Sequence, residues 1–278
     1  MDDRATNHLL AGEERDAFER DGFVMLRGAL DPTTLDATLA VARRAQAAFE
    51  SEPGVGPHHG LNLHDLIGRD DAWLDLVDRP TTFAKVWGVL GWNIQLFHTQ
   101  LLVTPPAPEG AGRGAYGWHQ DNNRMNLDLE TDPQPRVSVK VGYFLTDLPE
   151  TGMGNLAVVP GSHRAGRPDV ALGDQPDGAT EVIAEAGDAI LFDRRLWHAA
   201  STNASDRTRI FVTYGYSYRW LRPKSAMQHT DLFERVDPIR RQLLGWCTSA
   251  NGYFEPTDDD VPLRTWIRDH VSEAAVAP

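Results

Sequence analysis

The sequence predicts a mainly β fold with flanking helices, because helical patterns come first and short apolar or alternating runs follow from Asn93 onward. Turn-forming residues separate these runs, as at Pro105-Pro106, Gly152-Met153-Gly154 and Gly187-Asp188. Such runs suit two packed sheets with helices outside them, which is the double-stranded β-helix, a cupin-like jelly roll.

The N-terminal part is predicted to be mostly helical. A helix from Ala11 to Arg20 precedes a strand from Phe23 to Leu26. Asp31 and Pro32 form an N-cap followed by proline at the first helical position, which opens a helix through about Phe49. A second helical region spans about 71–90.

The length and composition allow a substantial core, since 41% of the 278 residues are hydrophobic. We expect one domain over residues 1–278, with N-terminal helices at about 11–92 and the jelly-roll core at about 93–220. Beyond the core, a charged helix near residues 237–244 and a final helix opening at Val261 are expected to buttress the barrel. Tyr218 or Arg219 is expected at the edge of its pocket.

The pair His119 and Asp121 is the first candidate site. Successive side chains on a strand point to opposite faces, so the two residues would share a face while Gln120 points away. If His198 arrives from a neighbouring strand, two imidazoles and a carboxylate can bind one face of an octahedral iron ion. The opposite face stays open for chemistry.

The downstream half supports this grouping through its order of elements. An apolar run ends at Asp193, His198 follows a short turn, and a polar loop at residues 203–209 leads into the β-rich run at residues 210–218. The pattern is that of strand, turn, ligand, loop and strand.

Several motifs in this order give the chain a family resemblance. They are the His-x-Asp pair, the turn Pro160-Gly161-Ser162-His163, Gly187-Asp188, His198, Arg209, and an opening acidic helix followed by Asp21-Gly22-Phe23. From about Gly12 to Trp266 the sequence resembles the phytanoyl-CoA dioxygenase family of non-haem iron, 2-oxoglutarate-dependent oxygenases.

The resemblance implies that His119, Asp121 and His198 hold Fe(II) and that Arg209 binds the distal carboxylate of 2-oxoglutarate. A planar guanidinium offers that carboxylate a bidentate partner. Arg207 is the rival for this role, because strand alternation cannot separate two residues spaced by two. The family's spacing from the distal histidine favours Arg209.

Other co-substrate contacts are less defined. Gln100 lies before His119 where some relatives contact the co-substrate. The family often has a hydroxyl residue two positions after the distal histidine, but here Ala200 stands there and Ser201 follows. This departure leaves one 2-oxoglutarate contact open.

The implied reaction consumes 2-oxoglutarate and O2 and releases succinate and CO2. Its usual outcome is hydroxylation of an unactivated C–H bond, with desaturation, cyclisation and epimerisation as variants. Related halogenases lack the carboxylate ligand, so Asp121 argues against halogenation. The alternative class is a jelly-roll protein that binds or senses a small molecule through its metal without turnover.

Residues beside the ligands have both a functional and a structural interpretation. Trp118 and Trp197 each precede a proposed ligand and suit either substrate stacking or core packing. Asn122 follows the first pair, where it suits either substrate contact or loop polarity. His163 is expected to have a turn or hydrogen-bonding role.

Two inner-strand residues leave their surroundings open. His98 suits either the cavity wall or a satisfied core position. Lys140 interrupts an apolar strand and must either reach solvent or serve a polar cavity, because unpaired burial of its charge is costly. The segment from Arg164 to Gly178 is expected to be a surface insertion that shapes substrate entry.

Composition restricts the partners. The formal net charge of −13 argues against nucleic acid, and no apolar run approaches the length of a membrane helix. A lone cysteine, Cys247, excludes an intramolecular disulfide framework and, with no secretory signal, predicts a cytoplasmic location. A free small molecule is therefore the expected substrate, and the sequence does not define its identity or the oligomeric state.

Overall fold

The computed structural model describes residues 1–111, 116–165, 168–171, 174–224 and 230–276. Its α-helices are α1 Gly12–Asp21, α2 Pro32–Glu50, α3 Asp71–Leu74, α4 Pro80–Leu90, α5 Asn123–Asp128, α6 Pro238–Leu243 and α7 Pro262–His270. Its strands are β1 Phe23–Leu26, β2 Leu61–His64, β3 Ile94–Thr104, β4 Ser138–Phe144, β5 Leu156–Val158, β6 Thr180–Glu181, β7 Ala189–Asp193, β8 His198–Ala200 and β9 Arg209–Tyr218. Short 3-10 helices span Asp3–His8, Thr230–Leu232, Ala250–Tyr253 and Glu273–Val276.

The strands form two antiparallel sheets. The large sheet has the order β1-β7-β4-β9-β3-β2, and the small sheet has the order β6-β5-β8. A single bridge joins His119 to His198 of β8. This arrangement, with helices outside it, confirms the predicted jelly-roll class.

Strand β9 shows how the sheet divides the core into two layers. Even-numbered residues such as Val212 and Tyr214 belong to a core cluster that includes residues of α2 and α4. Odd-numbered Phe211 instead packs with residues of the small sheet, among them Leu156 and Val158. We call the face that carries the odd residues of β9 the inner face, because it looks toward the small sheet.

Local signals explain the helix starts. The Asp31 side chain accepts a hydrogen bond from the Thr34 amide at 2.9 Å, and Pro32 opens α2 as predicted. The expected second helical region is instead two helices, because Arg79 precedes a proline and adopts an extended ψ of 120°. Pro80 then begins α4.

Two strand expectations need correction. Strand β2 was not expected from its four residues, which become a strand only by pairing with the edge of β3. Conversely, His119 and Asp121 do not lie on a regular strand, since His119 makes one isolated bridge and Asp121 begins a turn. Within the described part of the chain, no helix has the length and apolar character needed to cross a membrane.

Candidate active site

The structure brings His119, Asp121 and His198 together. One candidate ligand atom from each lies within 4.8 Å of the others, and the two imidazole ring centroids are 4.3 Å apart. The His119 amide donates to the His198 carbonyl, and the His198 amide donates back to the His119 carbonyl, each at 3.0 Å. This reciprocal pair of backbone hydrogen bonds holds the two histidines opposite each other.

Both histidines have one ring nitrogen committed to the backbone. Nδ1 of His119 lies 2.7 Å from the Gly117 carbonyl, and Nδ1 of His198 lies 2.8 Å from the Leu196 carbonyl. A carbonyl can only accept, so each Nδ1 carries the proton and each Nε2 is left as a lone-pair donor. Burial lowers the pKa of His198 to about 4, so this imidazole is neutral at pH 7.

The two oxygens of the Asp121 carboxylate have different surroundings. Its Oδ1 accepts a 2.8 Å ion pair from Lys140 Nζ, while its buried Oδ2 has no hydrogen-bond partner among the described residues. Burial acts to raise the pKa of Asp121, but neighbouring positive charge, foremost that of Lys140, holds it well below its usual range. A charged, half-satisfied carboxylate beside two Nε2 atoms fits a divalent metal ion.

Lys140 therefore does not reach solvent, because it is buried and its charge pairs with Asp121. It lies on β4 opposite Gly215 of β9, whose other neighbour is His98 of β3. An added Cβ on Gly215 would come within 2.5 Å of the His98 ring, so glycine is required for His98 to lie over this position. Phe192 of β7 completes the row and meets His198 edge-on, with ring centroids 5.3 Å apart.

His98 is not a satisfied core residue. It is buried, yet neither ring nitrogen has a hydrogen-bond partner in the described part of the chain. Burial, together with the charge of Lys140, lowers its pKa to about 3 and keeps the ring neutral. His98 thus lies in the Lys140 row with its hydrogen-bonding capacity unused.

Arg209 begins β9 on the same inner face. It is only 3% exposed and makes no ion pair or side-chain hydrogen bond with the described residues, although its guanidinium carbon lies 4.5 Å from the centroid of Phe211. Burial lowers the pKa of Arg209 to about 10, which still leaves it charged at pH 7. A buried cation without a counter-charge calls for an anionic ligand.

The rival Arg207 lies outside this pocket. Its side chain is 68% exposed, in the loop before β9, and its nearest acidic partner is Asp206 at 4.0 Å. The two arginines are two residues apart in sequence, but only Arg209 belongs to the sheet. The geometry therefore favours Arg209 as an anion site.

A hydroxyl that the sequence did not single out lies between Arg209 and the Gly215 row. Thr213 is on the inner face of β9, and its buried Oγ1 has no partner among the described residues. Gln100 lies directly opposite on β3, but its amide donates to Asn62 Oδ1 at 2.8 Å. The buried Oγ of Ser201, after Ala200, also has no partner there.

The three candidate substrate residues stand next to the proposed ligands in sequence and have different surroundings. Trp118 stacks on Tyr116 with centroids 5.6 Å apart and donates to the Asp174 carbonyl, which favours a packing role. Trp197 is half-buried, and its amide is held by Ser162 Oγ at 2.9 Å. Asn122 has a left-handed φ of 58° and precedes α5 without capping it.

The insertion beginning at Arg164 is described only in part, since residues 166–167 and 172–173 lie outside the described residues. Its described end covers the aromatic pair of Tyr116 and Trp118, because Asp174 accepts from Trp118 and Gln175 donates to Tyr116. His163, at the start of the segment, lies 3.2 Å from the Glu19 carbonyl through Nε2, as a turn residue should.

A charge network holds the turn that delivers His198. Asp193 accepts from Arg195 at 2.7 Å and from Arg136 at 2.8 Å, and Arg136 also pairs with Glu19 of α1 at 2.8 Å. The buried Asp193 therefore has both oxygens satisfied. Because α1 is tied to the turn between β7 and β8, the N-terminal helix helps to orient a candidate ligand more than a hundred residues away.

Comparison with known proteins places the chain in a family. The family model described as "Phytanoyl-CoA dioxygenase (PhyH)" matches residues 18–211. The ectoine dioxygenase of Nocardia farcinica is 25% identical over 238 residues, covering 73% of this chain and 76% of that protein. Dioxygenase cdmA of Talaromyces verruculosus is 25% identical, covering 92% and 87%.

Solved structures share the fold. HygX from Streptomyces hygroscopicus, with nickel and 2-oxoglutarate bound, is 17% identical with a TM-score of 0.61, covering 80% of this chain and 94% of that one. The epimerase SnoN from nogalamycin biosynthesis is 23% identical with a TM-score of 0.59, covering 76% and 84%.

The family match extends over most of the chain and includes the His119, Asp121, His198 and Arg209 positions. It confirms the class of chemistry expected from the motifs, a non-haem iron oxygenase that uses 2-oxoglutarate. The chain belongs to the phytanoyl-CoA dioxygenase family.

Proposed function

We propose that this protein hydroxylates an unactivated C–H bond of a small molecule, with His119, Asp121 and His198 as the Fe(II) ligands. The observation that carries the proposal is the donor set, since one ligand atom from each of the three residues lies within 4.8 Å of the others. Backbone carbonyls bind Nδ1 of both histidines and Lys140 binds one oxygen of Asp121, which leaves both Nε2 atoms and the second carboxylate oxygen for a metal ion. When bound there, iron and 2-oxoglutarate supply the oxidising power from O2, with succinate and CO2 as co-products.

The chain's own residues prepare this chemistry. Gly117 and Leu196 carbonyls fix the tautomers of the two histidines, and Lys140 holds one oxygen of Asp121 so that the other is left for the metal. Arg209 supplies a charged, bidentate partner for the distal carboxylate of 2-oxoglutarate. Phe192 beside His198 contributes an apolar wall that excludes water from the cavity.

The direct test is succinate formation by protein purified without oxygen and then given Fe(II), 2-oxoglutarate and O2 across a panel of small molecules. We expect metal-dependent succinate, stimulated by the true substrate, and loss of this activity in His119→Ala. Iron binding without 2-oxoglutarate binding or succinate would instead support a metal-dependent binding or sensing protein. Product analysis separates hydroxylation from the desaturation, cyclisation and epimerisation known as variants of the chemistry.

Thr213 is proposed to supply the hydroxyl contact that Ala200 cannot. Thr213→Val removes a buried hydroxyl without changing the side-chain shape, so we expect 2-oxoglutarate affinity to fall about tenfold, as for loss of a hydrogen bond to a charged group. The ligand-free protein should keep its stability, because this Oγ1 has no partner among the described residues. Titration calorimetry with Co(II) in place of iron measures the 2-oxoglutarate affinity of the wild type and of the variant.

Ser201→Ala is the matched variant, since Ser201 also has a buried, unpartnered hydroxyl and follows the position where the family often has one. If Ser201→Ala weakens 2-oxoglutarate binding and Thr213→Val does not, the contact belongs to Ser201. Gln100, Trp118, Asn122 and Trp197 stay proposals for co-substrate or substrate contact, as does the cytoplasmic location.

A further inference from the structure

A cavity lies at the end of the large sheet, where β9 ends and β3 begins. Its volume is about 1090 Å³, and we call it the C-terminal chamber. One wall is the segment from Arg219 to Lys224, and the opposite wall comes from the turns after α6 and after the 3-10 helix Ala250–Tyr253. This volume lies just above the range of about 300–1,000 Å³ for pockets that hold drug-sized ligands.

The chamber adjoins the candidate iron site along β9. On the inner face, Arg209 is followed by Phe211 and Thr213 and then by Gly215 of the Lys140 row. Ser217 comes next and pairs with the chamber residue Gln95. One residue pair, about 7 Å along the strands, therefore separates the Lys140 row from the chamber. Arg209 lies toward the other end of the strand, so the two sides of the iron site differ.

The wall of the chamber is also tied to the site by a direct contact. The Lys224 amide donates to the Phe97 carbonyl at 2.9 Å, and Phe97 precedes His98. The Lys224 charge reaches the ring of His98, whose pKa is lowered first by burial, then by Lys140, and also by Lys224. The chamber wall is therefore fixed to the strand that carries His98.

The lining of the chamber is positively charged, whereas the whole chain is negatively charged. Its lining contains three cationic residues, Arg219, Arg222 and Lys224, and one acidic residue, Asp65, although the whole chain carries a formal net charge of −13. Arg222 and Lys224 are exposed and form no ion pair within the described residues, while Arg219 donates only to the carbonyls of Gly252 and Trp246. Among the described residues no carboxylate, Asp65 included, lies within ion-pair distance of these three cations, so the chamber favours an anion.

Flat rings dominate the rest of the lining, namely Trp220, Phe233, Trp246, Tyr253 and Phe254. Trp220 is 44% exposed and Phe254 is 68% exposed, and both line this one chamber, where a cluster of exposed apolar side chains indicates a binding surface. Trp220 is already held on one face by Tyr218, with stacked ring centroids 5.4 Å apart. Such a braced ring offers a stacking surface at low entropic cost.

We propose that the C-terminal chamber binds the substrate of the iron site and that this substrate is an aromatic ring system carrying an anionic group. That the ligand is a substrate rests on the proposed function, but the chemistry of the ligand rests on the residues that line the chamber. The rings bind the flat part, and Arg222 and Lys224 bind the anion. The anion is held on the chamber side, which leaves the rest of the molecule to reach the iron.

Three probes separate the two requirements: 2-naphthoate, which has both the ring system and the anion; 2-naphthamide, which lacks the charge; and octanoate, which lacks the rings. Binding is followed by tryptophan fluorescence of the full chain with Co(II) and 2-oxoglutarate present. We expect 2-naphthoate to bind about tenfold more tightly than 2-naphthamide, as for two partly exposed ion pairs. It should also bind more tightly than octanoate, because octanoate has no ring to stack on the aromatic residues. The double variant Arg222→Ala/Lys224→Ala should bind 2-naphthoate no better than 2-naphthamide.

The matched control is Arg20→Ala/Arg43→Ala, which removes two exposed cations outside the chamber. It should keep the preference for 2-naphthoate. Location is read from lysine acylation, because the sequence has only three lysines and both Lys85 and Lys140 are buried in ion pairs. Bound 2-naphthoate should protect Lys224 from acylation, as measured by mass spectrometry of its peptide.

Equal binding of the three probes, or an unprotected Lys224 with 2-naphthoate bound, would overturn the proposal. The same samples report 2-oxoglutarate binding by calorimetry, which keeps the two hypotheses apart. Protection of Lys224 in a protein that does not bind 2-oxoglutarate would support the chamber's ligand chemistry and contradict the oxygenase assignment. Succinate formation without any preference for 2-naphthoate would support the oxygenase assignment and contradict the chamber's ligand chemistry.

Discussion

Arg209→Ala is expected to raise the dissociation constant of 2-oxoglutarate by about 100-fold or more, since truncating one side of a buried charge pair costs about 2–5 kcal/mol. The ligand-free protein should lose little stability, because Arg209 has no counter-charge among the described residues to forfeit. Titration calorimetry with Co(II) gives the affinity. Thermal unfolding with and without 2-oxoglutarate gives the stability, and the stabilisation by ligand should disappear in the variant.

Arg207→Ala is the matched control, because it removes an exposed arginine two residues away. It should leave 2-oxoglutarate affinity unchanged. Arg209→Lys tests geometry, since an ammonium keeps the charge but not the bidentate contact, and its affinity should fall between those of wild type and Arg209→Ala. A loss of affinity in Arg207→Ala with none in Arg209→Ala would transfer the co-substrate anchor to Arg207.

Lys140→Met is expected to destabilise the metal-free protein by about 3–5 kcal/mol, because it leaves the Asp121 carboxylate buried without a cation. A divalent metal ion should stabilise this variant more than wild type, since the metal replaces the missing positive charge beside Asp121. Chemical unfolding with and without Co(II) measures both effects. Lys140→Arg keeps the charge and should lose less stability than Lys140→Met.

A double-mutant cycle separates charge from packing. Asp121→Asn combined with Lys140→Met leaves no unpaired charge, so the double variant should be less destabilised than the sum of the two single variants. Additive losses would mean that Lys140 acts only by filling space. Asp121→Asn alone should also lose the extra stabilisation by metal, because it removes the proposed ligand.

The fold could be read from local signals where those signals are strong. Asp31 and Pro32 predicted the start of α2, and Phe23 to Leu26 formed the expected strand. The boundary between α3 and α4 was missed, although Pro80 marks it, because the flanking residues continue an apolar pattern. Strand β2 could not be predicted, since four residues carry too little pattern without their partner in β3.

The site shows the same division at the level of single residues. Side-chain alternation correctly separated Gln120 from His119 and Asp121, because Gln120 donates to the Arg195 carbonyl while its neighbours meet His198. It held even without a regular strand, since an extended backbone alternates its side chains whether or not it is paired. The assignment of these residues as iron ligands stays a prediction until metal binding is measured.

By itself the sequence determined the family and the jelly-roll class, and it singled out the residues proposed to hold iron and an anion. The family and the fold class follow from the type and spacing of residues along the chain. Each motif that indicates them lies within a few neighbouring positions. Tertiary structure decided that Lys140 pairs with Asp121, that both ring nitrogens of His98 lack a partner and that Arg209 is buried without a counter-charge among the described residues. Alternation in a strand shows which residues share a face, but only the packing of the second sheet and the C-terminal segment decides what that face meets.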